Sequence, residues 1–432
     1  MIKQLLKDSA FYTFCNILTR GIGFLLLPIY TRIIPKSDYG AYDYTLVLGS
    51  LLAVVITLEI AQSVFRFFPE ESKDKNKQIS ISSTGFWFAF VSLGLVSGLI
   101  IYFSKPISIL LFDNDKYALL IIASAIYMWL NALLTSFLNI LRINFRTKNV
   151  VYLSLLNATV SAALSLVFVL YLDLGVFGLI VGQTSGTATA CIFSLYLSRQ
   201  WIKFGFSREI LLRMLTFSFP LVFSSLGVII LLNIDRIMIE SHLGIATLAG
   251  YAVGVKLASI VSFLMIGFQY ALTPLIYSKH KEVATPAALA KLFHYYLLMS
   301  TMLVVILSFS SQLVVTVIVG EDYSEAAYYI PFLVASALMS SMYLFFPGLS
   351  INKKTVFIAA INLIAGGVNF ILNDIMIPIY GAIGAAYSTL FVSLMAFILN
   401  VSFSQFYYKI PINYFYVSCI FVSNLIFLML FT

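Results

Sequence analysis

Long apolar segments recur along the whole chain, at a length that a membrane imposes. The hydrocarbon core of a bilayer is about 30 Å thick, so a helix that crosses it needs about 20 apolar residues. Twelve segments meet this requirement, and a thirteenth closes the sequence. They are 9–31, 40–65, 81–103, 117–140, 150–172, 176–198, 214–239, 248–277, 292–319, 326–348, 355–377 and 382–404, followed by 413–432. The sequence therefore predicts an all-α protein that crosses a membrane many times.

The composition excludes other classes of protein. Hydrophobic residues make up 61% of the chain and charged residues 10%, whereas soluble domains carry about 25% charged residues and disordered chains carry more. The net charge of +8 would suit a nucleic-acid partner. The basic residues lie in short loops between apolar segments, however, which is typical of a membrane protein and predicts no nucleic-acid binding. The three cysteines lie inside apolar segments and predict neither a metal site nor a disulfide framework.

Basic residues are distributed unequally between alternate loops. The loops on the side of the N-terminus hold 19 lysines and arginines and the opposite loops hold 4, while Arg20, Arg236 and Lys256 lie within helices. Because basic loops stay in the cytoplasm, this asymmetry predicts a cytoplasmic N-terminus. The longest loops have 15 residues, which is too short for a separate domain. Any chemistry must therefore occur within the membrane region or at its surface.

The second half of the chain resembles the first at an offset near 206. Matched pairs are Lys148 and Lys354, Gly175 and Gly381, and Gly178 and Gly384. The pattern predicts two pseudo-symmetric six-helix lobes around a central cavity, at 1–200 and 201–412, with 413–432 as an additional helix. Such repeats are common in secondary transporters, which hold their substrate between the halves. A duplicated membrane scaffold that transports nothing is the alternative.

Two cations lie deep within predicted helices. Arg20 is near the middle of the first and Lys256 is in the eighth. A charge at the bilayer centre costs roughly 2.5–3.5 kcal/mol on insertion scales, so it usually faces a cavity or a partner. We predict that these two side chains line a cationic cavity between the lobes. A diphosphate would suit it, because arginine offers a planar fork of donors and lysine a compact charge.

Further charged residues lie closer to the ends of their helices. Arg32, Arg66 and Arg236 are candidates for substrate contact, but they could equally extend to the membrane interface. Glu59 and Asp235 are candidates to take a proton or sodium ion that drives transport. Asp235 could instead stabilise a helix end.

Sequence motifs of enzymes are missing. There is no G-x-x-x-x-G-K-[ST] loop for ATP hydrolysis and no H-E-x-x-H zinc motif. The three histidines are scattered and predict no metal site. A membrane enzyme of polysaccharide assembly should also carry a catalytic loop outside the membrane, and no loop here is large enough. We therefore predict no enzyme activity and no cofactor apart from a coupling ion.

Several segments resemble a known transporter family. They are LPIYTRIIP at 27–35, DYGAY at 38–42, EIAQSVFRFF at 59–68, SFPL at 218–221, DRIMI at 235–239 and GYAV at 250–253. These look like the signatures of polysaccharide transporters in the multidrug/oligosaccharidyl-lipid/polysaccharide exporter superfamily. A drug exporter of the same superfamily is the alternative, although its cavity should be dominated by acids and aromatic residues.

The resemblance implies a Wzx-type flippase, which would be a multi-pass protein of the bacterial inner membrane. Such proteins move undecaprenyl-diphosphate-linked oligosaccharide repeat units, such as O-antigen units, to the outer leaflet. The implied fold is a V of two six-helix lobes that open alternately to each side. Arg20 falls where related lipid II flippases have a cavity arginine, and Lys256 falls near a second one. The implied partners are membrane lipid, a polysaccharide polymerase and a chain-length regulator.

Overall fold

The computed structural model describes residues 2–71, 73–352 and 354–431, apart from the side chains of residues 2–16, Arg20, several residues between 263 and 278, and residues 355 and 431. Throughout this part the regular secondary structure is helical, and no strand occurs in it. Membrane hydrocarbon offers no partner for backbone N–H and C=O groups, and a helix satisfies them within one segment. The predicted all-α class is confirmed.

The structure contains sixteen α-helices in the described ranges. They are α1 (Ile2–Ile33), α2 (Lys36–Thr57), α3 (Ile60–Glu70), α4 (Lys75–Tyr102), α5 (Ser104–Phe112), α6 (Ala118–Ile143), α7 (Thr147–Leu170), α8 (Gly175–Ser198), α9 (Arg208–Leu243), α10 (Ile245–Lys279), α11 (Thr285–Ile318), α12 (Ala326–Ser341), α13 (Gly348–Ile351), α14 (Thr355–Tyr380), α15 (Ala382–Tyr407) and α16 (Tyr414–Phe431). Eleven helical segments in these ranges are long and apolar enough to cross a membrane, and α16 is a shorter apolar helix. Helix is present in every predicted apolar segment.

Two of the predicted segments are interrupted. The segment 40–65 divides into α2 and α3, because Leu58 and Glu59 both adopt the left-handed conformation. The segment 326–348 divides into α12, a 3-10 turn at Met342–Phe345 and α13. Pro347, which lacks an N–H group, precedes α13.

The helices form two compact units. The N-terminal unit is Phe14–Ile229, and the C-terminal unit is Ile230–Thr432 together with Met1–Thr13. The predicted lobe boundary after residue 200 stays a prediction, as does the status of 413–432 as a separate element.

Small residues allow close helix packing in the N-terminal unit. Gly182 and Gly186 of α8 lie directly against Ser165 and Ser161 of α7. The Ser165 hydroxyl donates to the carbonyl of Leu179 at 3.0 Å. Small residues are typical of helix interfaces in membranes, since they let backbones approach and form bonds between helices.

The segment that follows α8 is bonded to α4. The Ser82 hydroxyl donates to the Trp201 carbonyl, and the Ser83 hydroxyl accepts from the Lys203 amide at 2.9 Å. Further along, the hydroxyl of Ser63 on α3 donates to the carbonyl of Met214 at 2.6 Å. The N-terminal unit therefore includes the segment after α8 and the start of α9.

In the C-terminal unit, α12 is the central helix and packs against α10, α11 and α15. Its neighbours supply large side chains with almost no exposure, such as Tyr251 of α10 and Phe293 of α11. The 3-10 turn after α12 adds Phe345, whose ring centroid lies 5.2 Å from that of Tyr296. This packing fixes the position of the break between α12 and α13.

Candidate functional site

A cavity of about 460 Å³ lies within the N-terminal unit, next to the break between α2 and α3. Residues of α2, α3, α4 and α6 line it. Its polar lining consists of Thr45, Ser50, Thr57, Glu59, Ser124, Tyr127, Asn131, Thr135 and Ser136. Among the described lining residues Glu59 is the one with a charged side chain. We call this space the N-terminal cavity.

The backbone at Glu59 is strained. Leu58 has φ 49° and Glu59 has φ 54°, and both are L-residues with a Cβ atom. The left-handed conformation costs roughly 1–2 kcal/mol for each such residue. Backbone strain of this kind is often found at functional sites, where the surroundings maintain it. The break places the half-buried Glu59 at the cavity instead of within a regular helix.

The chemistry of the N-terminal cavity suits a small cation. A carboxylate, hydroxyls and the amide of Asn131 present oxygen atoms, which are the ligands that hard cations prefer. Carboxylates can also take up a proton. No cluster of three or more His, Cys, Asp or Glu side chains occurs in the described ranges, so a multi-carboxylate metal site is not part of this geometry.

A second cavity, of about 370 Å³, lies within the C-terminal unit. It is lined by α10, α14, α15 and the break between α12 and α13. Its polar lining consists of Gln269, Thr273, Tyr343, Ser350, Asn362 and Asn400. No charged side chain occurs among the lining residues that the structure describes. We call this space the C-terminal cavity.

One serine stabilises the break beside the C-terminal cavity. The hydroxyl of Ser404 on α15 donates to the carbonyl of Phe346 at 2.7 Å and accepts from the amide of Gly348 at 2.8 Å. These backbone groups belong to the interruption and lack the usual bonds within a helix. Irregular backbone at membrane depth is tolerated where it is buried in protein or lines a cavity. The break between α12 and α13 is buried in protein and also lines the C-terminal cavity.

Asp235 lies in a buried polar cluster of the C-terminal unit. Its carboxylate accepts hydrogen bonds from the hydroxyl of Tyr251 and from the backbone amide of Arg236. The Arg236 guanidinium donates to Asn233 at 3.1 Å. Tyr251 has no exposed surface and Asp235 is 6% exposed. The predicted ion-coupling role of Asp235 and its alternative role at a helix end both stay predictions.

Two buried asparagines of α14 were missed by sequence reasoning. Asn369 and Asn373 are almost fully buried, and their side-chain oxygens have no hydrogen-bond partner among the described residues. Asp374 lies 3.5 Å from His242 of α9, which places α14 beside α9. Asn369 and Asn373 are four residues apart, so they lie on one face of an apolar helix. This spacing is the signal by which the sequence indicates them.

The predicted cations occupy different environments. Arg66 is exposed and pairs with Glu70 at 3.0 Å, one turn further along α3. Arg32 is exposed at the end of α1, and Lys256 is half-buried on α10. The side chain of Arg20 lies outside the described residues. A cavity lined by Arg20 and Lys256 stays a prediction.

Neither of the two described cavities has the cationic lining that the sequence predicts. Arg32, Arg66, Arg236 and Lys256 are not among the residues that line either of them. Sequence reasoning found Glu59 but missed the polar residues that share its cavity. It also missed the amides of the C-terminal cavity, because a neutral amide in an apolar segment is a weaker signal than a charge.

Comparison with known proteins shows related sequences. A family model described as "polysaccharide biosynthesis protein" matches residues 5–280. The uncharacterized membrane protein MJ1068 of Methanocaldococcus jannaschii is 22% identical, with 93% of this chain and 84% of that protein covered. The succinoglycan biosynthesis transport protein ExoT of Rhizobium meliloti is 25% identical, over 56% of this chain and 47% of its own length.

Solved structures share the fold. The inward closed conformation of the lipid II flippase MurJ superposes with a TM-score of 0.75 at 16% identity, covering 97% of this chain and 92% of that one. An inward-facing multidrug transporter of the MATE family gives a TM-score of 0.67 at 16% identity, covering 91% and 94%. At these identities the likeness concerns the fold alone, and it confirms the predicted two-lobed, all-helical architecture.

Proposed function

Because the chain belongs to the polysaccharide biosynthesis protein family, we propose that it is a flippase for undecaprenyl-diphosphate-linked oligosaccharide repeat units. It would move them from the cytoplasmic to the outer leaflet of the bacterial inner membrane, for synthesis of O-antigen, capsule or exopolysaccharide. The match over residues 5–280 is the observation that carries this proposal. The role of ExoT in succinoglycan transport supports the same class of substrate.

The physical problem for such a protein is hydration. A diphosphate and several sugars would lose their water in the hydrocarbon, at a cost of several kcal/mol for each polar group. Polar cavities at membrane depth can replace that water. Both described cavities lie at interrupted helices, and interrupted helices are typical of substrate and ion sites in transporters. Alternating access between two conformations would complete the movement.

We propose that the diphosphate binds to the membrane-embedded cations. Arg20 and Lys256 are the principal candidates, with Arg32, Arg66 and Arg236 as further ones. The cost of placing a charge in a bilayer supports a functional reason for the first two. The N-terminus would lie in the cytoplasm, and a polysaccharide polymerase and a chain-length regulator would act on the product.

A reconstitution experiment tests the flippase proposal. Purified protein in proteoliposomes should expose a labelled undecaprenyl-diphosphate oligosaccharide to an external glycosidase faster than protein-free liposomes do. Arg20→Ala and Lys256→Ala should each slow this exposure, whereas Arg199→Ala should not, because Arg199 stacks on Tyr196. Equal rates with and without protein would refute the flippase, and extrusion of ethidium instead would indicate a drug exporter. Synthesis of longer glycans would indicate an enzyme.

We further propose that Glu59 or Asp235 binds the coupling proton or sodium ion. Glu59 is supported by its position at the N-terminal cavity, and Asp235 by its burial in a membrane helix. In the same proteoliposomes, an imposed proton or sodium gradient should accelerate flipping. Glu59→Gln with Asp235→Asn should abolish that acceleration, whereas Glu282→Gln, at an exposed Glu, should preserve it. An unchanged gradient response in the double variant contradicts the coupling role.

A further inference from the structure

The C-terminal cavity has a neutral polar lining, whereas a phosphate site needs cationic side chains. We propose that it is a carbohydrate subsite, which holds an uncharged sugar residue of the headgroup by its hydroxyls. This inference rests on the proposed flippase function, and it assigns part of the substrate to residues that the cationic candidates do not include.

The lining offers donors and acceptors together. Gln269, Asn362 and Asn400 each carry a carbonyl oxygen and an NH₂ group, so each can donate and accept at once. A sugar hydroxyl also donates and accepts, and neighbouring hydroxyls of one ring match the two ends of an amide. Ser350 and Thr273 add hydroxyls to the same lining.

One of these groups lacks a partner within the protein. The hydroxyl oxygen of Thr273 is buried and has no hydrogen-bond partner in the described part of the chain. A buried polar atom without a partner costs about 1–3 kcal/mol. The oxygen has almost no accessible surface, so a sugar hydroxyl reaches it only when the Thr273 side chain rotates towards the cavity that it lines.

The charge of the lining selects the ligand class. Because no charged side chain occurs among its described residues, the cavity offers no counter-charge to a diphosphate. A prenyl chain is equally unsuited, since it would bury the amides of Gln269 and Asn362 and the remaining polar groups of Asn400 against hydrocarbon. One N–H of Asn400 already donates to the Ala396 carbonyl at 2.9 Å. A neutral polyhydroxylated group needs no counter-charge and can form hydrogen bonds with the amides.

The break between α12 and α13 supplies an aromatic surface. Tyr343 lies in the 3-10 turn, lines the cavity and is 47% exposed. An aromatic face can pack against the C–H face of a sugar ring while the hydroxyls bond at the ring edge. The volume of about 370 Å³ falls in the range of about 300–1,000 Å³ for small-molecule sites.

The first experiment measures sugar binding without transport. Purified full-length protein is irradiated with a diazirine derivative of methyl glucoside, and the labelled peptides are identified by mass spectrometry. We expect labelling of peptides that contain Tyr343 or Asn362, with competition by excess glucose and none by inorganic pyrophosphate. Labelling elsewhere only, or competition by pyrophosphate alone, would overturn the proposal. So would labelling that glucose does not reduce.

The second experiment uses variants. Asn362→Leu and Asn400→Leu should each weaken glucose competition about fivefold, in line with the loss of about one hydrogen bond. Asn76→Leu, at an exposed position on α4, should not change it. If either leucine variant fails to fold, as judged by its melting temperature, Asn362→Thr and Asn400→Thr replace them. Unchanged competition in folded variants would refute the subsite.

A third arm separates this proposal from the flippase itself. Proteoliposomes receive undecaprenyl diphosphate that bears either one sugar or a neutral tetrasaccharide. We expect the Asn362→Leu Asn400→Leu double variant to slow the tetrasaccharide lipid at least fivefold more than the single-sugar lipid. Equal slowing of both lipids would contradict the subsite and leave the flippase intact. If wild-type protein moves neither lipid but is labelled by the glucoside at the cavity, the flippase fails and sugar binding stands.

Discussion

The hydroxyl of Ser404 accepts a hydrogen bond from the amide of Gly348 at 2.8 Å, and so joins α15 to the interrupted segment between α12 and α13. Ser404→Ala removes this acceptor and the bond to the Phe346 carbonyl. Leaving buried backbone groups without partners costs about 1–3 kcal/mol each, so we expect a clear fall in the melting temperature. The measurement is thermal unfolding of the purified protein in detergent.

Ser388→Ala is the matched control for this prediction. Ser388 is also buried on α15, but among the described residues its hydroxyl bonds to the Gly384 carbonyl in its own helix. The Gly384 carbonyl can keep its bond within the helix, so the melting temperature should fall less than in Ser404→Ala. An equal fall in both variants would show that Ser404 has no special role at the break.

The strain at the α2–α3 break predicts an unusual response to glycine. Leu58→Gly removes the left-handed penalty of roughly 1–2 kcal/mol, because glycine has no Cβ atom. Leu48→Gly, in the regular part of α2, instead costs about 1 kcal/mol of helix propensity. We therefore expect Leu48→Gly to be the more destabilising of these two half-buried positions in thermal unfolding. If Leu58→Gly were the more destabilising variant, the loss of the Leu58 side chain would cost more free energy than the relief of its left-handed backbone returns.

Close packing between α7 and α8 predicts that Gly182 tolerates no side chain. A Cβ atom there would lie 2.3–2.4 Å from backbone and side-chain atoms of Ser165. Forcing extra atoms into a packed interface typically costs about 1–3 kcal/mol, so Gly182→Ala should lower the melting temperature.

The matched control is Gly98→Ala on α4. Nothing lies within 4 Å of a Cβ atom at Gly98, and alanine is the better helix former by up to about 1 kcal/mol. We expect this variant to be neutral or more stable. A similar melting temperature for both variants would contradict the packing argument.

Lys116, which lies in the loop before α6, pairs with Asp38 at the start of α2, and this pair predicts a pH-dependent contribution to stability. The Asp38 carboxylate accepts a hydrogen bond from the Lys116 ammonium and raises the pKa of that lysine. A raised lysine pKa stabilises the folded state below the ordinary value of 10.5, and the gain is lost as the pH rises through the raised pKa. Lys116 is 60% exposed, so the gain is at most about 1 kcal/mol.

Thermal unfolding of Lys116→Met against wild type provides the measurement. The variant should be slightly less stable at neutral pH, and the difference should disappear as the pH rises through the raised pKa of Lys116. Lys105→Met, at another exposed position, should show no such dependence. A difference for Lys116→Met that is the same at neutral pH and above the raised pKa would contradict the ion pair.

Most of the fold could be predicted from apolar length alone. A membrane admits helices of nearly one length, so twelve segments and a closing helix follow from counting. The breaks could not be predicted, because they depend on tertiary packing. Leu58 and Glu59 adopt the left-handed conformation, which neither residue type favours. The partner that stabilises the second break, Ser404, lies more than fifty residues away in the chain.

The candidate site was only partly accessible from the sequence. A charge in an apolar segment is conspicuous, so Glu59 and Asp235 were identified. Neutral amides such as Asn362 and Asn400 are less conspicuous, because an amide in a membrane helix often only bonds to its own backbone. Their shared position at a cavity depends on how α14, α15 and the α12–α13 break pack together.

The bonds made by Ser63 and Ser82 bear on how a protein of this kind could have arisen by duplication. Their hydroxyls are fully buried and reach carbonyls of residues 201 and 214, so the first six crossings are not self-sufficient. An ancestral half-length protein would have needed the beginning of a seventh crossing to complete its interior. Those carbonyls belong to the loop after α8 and to the first turns of α9. A half-length ancestor would therefore have carried them as a short C-terminal extension of its sixth crossing.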